Sequence, residues 1–104
     1  MYYSADMLMH WRTDAMQRFT CHYSGNVQGV GFRYTVMNIS QSYDVLGFVR
    51  NLPDGQVELV MEGDLHECEQ MIEEVKQRMA DYISDADVQK SVATDEFSRF
   101  DLRY

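Results

Sequence analysis

The stretch Gly25-Asn26-Val27-Gln28-Gly29-Val30-Gly31-Phe32-Arg33 sets three glycines after a strand-like run and an arginine in the first turn of the helix that follows. Glycine admits positive φ and lets the backbone come close to a ligand. Several amide N–H groups can then converge on one concave space, which suits a tetrahedral oxyanion. The helix start behind the loop adds partial positive charge and unpaired donors. Arg33 adds a full charge, so the chemistry on offer is phosphate binding. The spacing Gly-x-x-x-Gly-x-Gly is not the dinucleotide fingerprint, and no Lys-Ser/Thr pair follows as in a nucleoside-triphosphate loop. A plain strand-to-helix turn would use the same residue types.

A second candidate is Asn51, which ends a β-branched and aromatic run just before Leu52-Pro53-Asp54-Gly55. Its amide both donates and accepts hydrogen bonds. Arg50 points to the other side of the same strand, since neighbouring side chains alternate, so only one of the two can share a pocket with Arg33. Asn51 can equally be a turn former. His10, His22 and His66 are scattered, with no partner at triad or metal spacing, and read as non-catalytic. Glu73 and Glu74 read as a solvated helix face, and Arg50 as a solvated strand residue.

These residues need elements to position them. Phe19, Cys21 and Tyr23 alternate with polar neighbours, the period of a half-buried strand. Phe32, Val36, Ile39 and Tyr43 fall at helical spacing. Val45–Asn51 predicts a second strand, and Pro53-Asp54-Gly55 a tight turn. A third strand follows, with Val57, Leu59 and Met61 inward and Gln56, Glu58 and Glu62 outward. Asp64 opens a second helix with Glu67 as capping-box partner, and Leu65, Cys68, Met71 or Ile72, Val75 and Met79 form its stripe. Residues 81–96 give no clear period, although Tyr82, Ile83, Val88 and Val92 allow a strand. Phe97–Tyr104 predicts a last short one. The order βαββαβ predicts an α+β, ferredoxin-like sandwich: an antiparallel sheet with both helices on one face. In that topology the loop after the first strand can lie near the end of the second.

The 104 residues fit one domain with a single core. Seventeen acidic against nine basic residues give a net charge of −8, which argues against nucleic acid. The whole-chain field repels an anion, so a phosphate site must win locally. Between Cys21 and Pro53 the charged residues are Arg33, Asp44 and Arg50 only, and the glycine loop is a positive island. No apolar run is long enough to span a bilayer. Cys21 and Cys68 lack metal-ligand spacing and read as reduced core residues, with a bridge between them as the alternative. Residues 1–17 differ from the rest and are not a secretory signal. They are expected to be a disordered or loosely packed extension ahead of a domain spanning 18–104, with Met16 as a candidate true start. An ordered cap built on Met7, Met9, Trp11 and Met16 is the alternative.

Gly25-x-Val27-Gln28-Gly29-Val30-x-Phe32-Arg33 resembles the first signature of the acylphosphatase family. Gly47-Phe48-Val49-Arg50-Asn51-x-x-x-Gly55-x-Val57, with Gly63 closing the third strand, resembles the second. The likeness spans roughly residues 18–104; Tyr23 stands where an aliphatic residue is usual, and the leader is longer than typical. The resemblance implies a ferredoxin-like fold and metal-independent, cofactor-free hydrolysis of small acyl phosphates. It implies that Arg33 and the backbone amides of Val27, Gln28, Gly29, Val30, Gly31 and Phe32 bind the phosphate, while Asn51 positions the attacking water. A cytoplasmic monomer without nucleic-acid or membrane partners is expected. Rival readings are a carbamoyl-phosphate-handling domain like that of hydrogenase-maturation proteins, an RNA-binding sheet of similar topology, and an anion sensor. The acidic run Val57–Glu62 speaks against RNA.

Overall fold

The computed structural model describes residues 16–104. The expectations for the leader fall outside the described residues, except at Met16 and Gln17, which begin the first strand. The elements are β1 (Met16–Gly25), α1 (Phe32–Ser40), β2 (Val45–Asn51), β3 (Val57–Asp64), α2 (Leu65–Arg78), β4 (Ile83–Val92) and β5 (Phe100–Arg103). The strands form one sheet in the order β4-β1-β3-β2-β5. β3 pairs antiparallel with β1 on one side and β2 on the other. β4 pairs antiparallel with β1.

β5 departs from the antiparallel expectation by running parallel to β2, Gly47 opposite Phe100 and Val49 opposite Leu102. It arrives from the far edge of the sheet, through residues 93–99, and not by a hairpin. We call those residues the strap.

Alternation decides which face each side chain takes. Phe19, Cys21, Tyr23, Val49, Val57, Leu59 and Met61 point to the helix side and are buried. Phe32, Val36 and Ile39 of α1, with Cys68, Met71 and Val75 of α2 and Met79 just after it, cover them. Met71, not Ile72, takes the central place in the α2 stripe. Burying each large apolar side chain contributes on the order of 1.5–3 kcal/mol, which is why both helices settle on this face.

Three local expectations change. The Asp64 carboxylate accepts from the His66 N–H, but Glu67 does not close a capping box. Its carboxylate accepts from the Asp44 N–H at 2.8 Å, tying α2 to the start of β2. The featureless stretch 81–96 contains a ten-residue strand, β4, whose residues are almost all exposed. An edge strand that buries neither face has no reason to alternate, so its sequence gave no period. Glu74 accepts from the Tyr43 hydroxyl and from Arg78, so it is not simply solvated.

Candidate active site

β1 and β2 both run antiparallel to β3, and are therefore parallel to each other. Their C-terminal ends meet at the same end of the sheet. The register places Tyr23, Val57 and Asn51 in one row, so the loop leaving β1 opens beside Asn51. The topology brings together two segments that are far apart in sequence.

The loop is fixed by its own side chains. Val27 is fully buried and Val30 packs against the core. The Gln28 side-chain amide donates to the carbonyls of Leu52 and Gln56, both at 2.8 Å, and clips the loop to the β2–β3 turn. Gly29 and Gly31 have φ of 78° and 77°, a region that costs other L-residues roughly 1–2 kcal/mol. An added Cβ at either would meet nothing within 4 Å, so the requirement is conformational, not steric. Gly31 is the N-cap of α1, with no side-chain cap and no acidic residue in the first turn. The first helical bond runs from the Thr35 N–H to the Gly31 carbonyl. That leaves the N–H groups of Phe32, Arg33 and Tyr34 without intrahelical acceptors.

Val27, Gly29, Gly31, Phe32, Arg33, Tyr34 and Asn51 line one cavity of about 160 Å³. Of the residues expected at the site, Gln28 and Val30 are absent from this lining, because their side chains brace the loop from outside. Phe32 is buried and its ring lies 5.2 Å from that of Tyr23. Arg33 forms no ion pair among the described residues. Its Nη1 donates to the Arg103 carbonyl at 3.0 Å, and the guanidinium lies 5.0 Å from the Tyr104 ring centre. One of its five N–H donors is engaged this way. The Tyr34 and Tyr104 hydroxyls are 3.2 Å apart at the rim.

Arg50 and Asn51 divide as alternation requires. Arg50 lies on the open face, donating to Glu58 at 2.7 Å and stacking over Phe48; it is a paired residue and not merely a solvated one. His22, read as a non-catalytic histidine on a strand face, meets Glu58 at 2.8 Å. Register puts the two directly opposite, which no reading of single strands could supply. Burial works against ionisation of Glu58, but the His22 and Arg50 contacts outweigh it and hold its carboxyl below the ordinary range. This cluster is separated from the cavity by the sheet. Two larger depressions, of about 540 and 560 Å³, lie over the polar side of α2 and between α2 and β4. The first is lined by Glu69, Glu73 and Glu74, with Arg78 already paired to Glu74, and the second sets Lys76 beside Glu73 and Asp85. Among the described residues no group of three or more His, Cys, Asp or Glu could hold a metal ion. No helix among them is long and apolar enough to cross a membrane.

A family model described as Acylphosphatase matches residues 19–102. The chain belongs to the acylphosphatase family. It is accordingly an enzyme of acyl-phosphate hydrolysis. An acylphosphatase from Lactobacillus johnsonii is 36% identical over 91 residues, covering 86% of this chain and all of the relative. The crystal structure of an acylphosphatase from Bacillus subtilis is 30% identical with a TM-score of 0.76, covering 85% of this chain and 99% of that one. Full-length HypF in its phosphate- and nucleotide-bound form is 27% identical with a TM-score of 0.65. That match covers 86% of this chain but 12% of HypF. The acylphosphatase signatures quoted above therefore sit on an acylphosphatase fold. Sequence reasoning missed the Arg103 carbonyl and Tyr104 ring against Arg33, because contacts through a backbone oxygen leave no residue pattern.

Proposed function

We propose that the chain hydrolyses small acyl phosphates to a carboxylate and inorganic phosphate without a metal ion. In this reading Arg33 and the loop amides of residues 27–32 hold the phosphate, and Asn51 orients the water. The observation that carries it is that Arg33 and Asn51, from separate elements, line one small cavity with the glycine loop and the open end of α1. The guanidinium can meet two phosphate oxygens at once, fixing orientation as well as charge. The unpaired amides add preorganised donors around the equatorial oxygens. Asn51 can accept from one water hydrogen and so aim the oxygen lone pair at phosphorus.

Such a site needs little else. The water oxygen forms a bond to phosphorus as the bond to the acyl oxygen breaks, and the electron pair leaves with the carboxylate. The conjugate acid of that leaving group has a pKa of about 4–5, so it departs without being protonated. Phosphoryl transfer then asks mainly for positioning and charge stabilisation. The water's proton passes to a phosphate oxygen. No histidine or carboxylate lines the cavity, which fits this route. A cytoplasmic monomer agrees with the free, buried Cys21 and Cys68 and with a site built within one chain.

The test is hydrolysis of acetyl phosphate against a phosphate monoester, both in chelator. Turnover of the first alone, lost in Asn51→Ala, supports the proposal. Phosphate binding without turnover would replace it with an anion sensor.

A further inference from the structure

The Arg33 guanidinium rests on the backbone of the last strand, at the Arg103 carbonyl, so whatever fixes β5 bears on the cation. β5 lies at one edge of the sheet and β4 at the other. The strap joining them must cross the open face over four strand spacings, roughly 19 Å at about 4.8 Å each. Eight peptide steps reach at most about 26–29 Å. The strap therefore has slack, and it stays on the sheet only if something pins it.

Glu62 does so. It is 4% exposed although it lies on the open face. Its carboxylate accepts from the Thr94 N–H at 2.8 Å, the Thr94 hydroxyl at 3.0 Å, the Asp95 N–H at 3.0 Å and Arg18 Nε at 2.7 Å. Two successive amides, those of Thr94 and Asp95, thus meet one acceptor, and the chain leaves them through Asp95 at a φ of 62°. Arg18 extends the clamp to Glu96 and Thr94 and lies 5.0 Å from the Phe97 ring centre. Phe97 meets Phe48 edge-on, and the Arg99 carbonyl accepts from the Gly47 N–H, seating the chain as β5 begins. Arg103 stacks on Phe48 from the open face while its carbonyl serves Arg33.

We propose that Glu62 is a positioning residue for Arg33: by pinning the strap it fixes β5, and with it the carbonyl on which the guanidinium rests. Its catalytic consequence rests on the reading of Arg33 as the phosphate-binding cation. A residue that only holds the fold together would lower the melting temperature and leave the folded protein's phosphate affinity alone. A positioning residue weakens phosphate binding in protein that is still folded.

The experiment measures kcat and KM for acetyl phosphate, and Kd for inorganic phosphate by calorimetry, in wild type, Glu62→Gln and Arg33→Ala. Each is held below its melting temperature. In Glu62→Gln we expect KM and phosphate Kd to rise together about tenfold with kcat reduced less than about threefold. Thr94→Val, which removes the hydroxyl contacts to Glu62, Arg18 and Glu96 but keeps the backbone amide on Glu62, should show a rise of about two- to threefold and serves if Glu62→Gln does not fold. Wild-type KM and Kd in a folded Glu62→Gln (or in Thr94→Val, should it be needed) overturn the positioning role while Arg33→Ala still loses phosphate. An Arg33→Ala protein that binds phosphate normally removes the phosphate-site reading, and the positioning role with it.

Discussion

Arg33 and Asn51 differ in what they offer a substrate, and the difference should be measurable. In the proposed reading the guanidinium contacts the phosphate in the ground state and throughout the reaction, so Arg33→Ala should lose affinity and turnover together. Arg33→Lys keeps the charge but not the fork, and kcat/KM should still fall roughly 30- to 100-fold. In the same reading Asn51 acts on the water after substrate is bound. Asn51→Ala should lower kcat about 10²–10³-fold while KM moves less than about twofold. Equal losses of affinity in the alanine variants, read from steady-state kinetics and phosphate binding, would contradict this division. The loop motif and the strand-end asparagine were legible in the sequence because glycine, arginine and asparagine sit there for local reasons. The choice of Asn51 over Arg50 came from the family resemblance, since alternation alone says they oppose each other but not which faces α1.

Where β2 lies against β3, the backbone leaves no room for a side chain at Gly47. An added Cβ on Gly47 would lie 1.9 Å from the Val60 carbonyl oxygen at a φ of 146°. Gly47→Ala should therefore cost more than about 4 kcal/mol in a denaturant titration, or prevent folding. The open face sets the acid limb of stability. Burial disfavours the charged form of Glu62, but the Thr94 and Asp95 amides and Arg18 prevail and hold its carboxyl below the usual 4.5. Glu58 is lowered in the same direction. A carboxylate depressed in the folded state adds stability that is complete above the unfolded value and is lost as pH falls through the folded one. Stability should thus decline below about pH 4.5, and Glu62→Gln should flatten that decline. An unchanged slope would mean that the clamp carries no linked proton. The core strands and both helices were legible from their periods. β4 and the strap were not, because one is exposed on both faces and the other has its partners on a different strand.

For the whole molecule, the net charge of −8 opposes an anionic substrate at long range, while Arg33 acts at contact. Screening weakens the first more than the second, the Debye length being about 10 Å at 0.1 M salt. Raising monovalent salt from about 10 to 150 mM should raise kcat/KM about two- to threefold, whereas a fall would mean that long-range attraction governs capture. Burial pushes the Cys21 and Cys68 thiols up to about 12. A disulfide reagent at pH 8 should therefore modify neither in native protein and both after unfolding. The overall topology was legible because every element but β4 is marked by its period or its composition. The parallel attachment of β5 was not, since nothing in a four-residue strand says which edge it joins.

In the proposed site the β1–α1 loop, Arg33 and Asn51 together receive a phosphate group. The most direct measurement is a titration of inorganic phosphate into isotope-labelled protein, followed by amide NMR shifts. The largest shifts are expected at the backbone amides of residues 27–34 and at the Asn51 side-chain amide, all abolished in Arg33→Ala. Shifts confined to the groove between α2 and β4, or shifts that persist without Arg33, would contradict the proposed site.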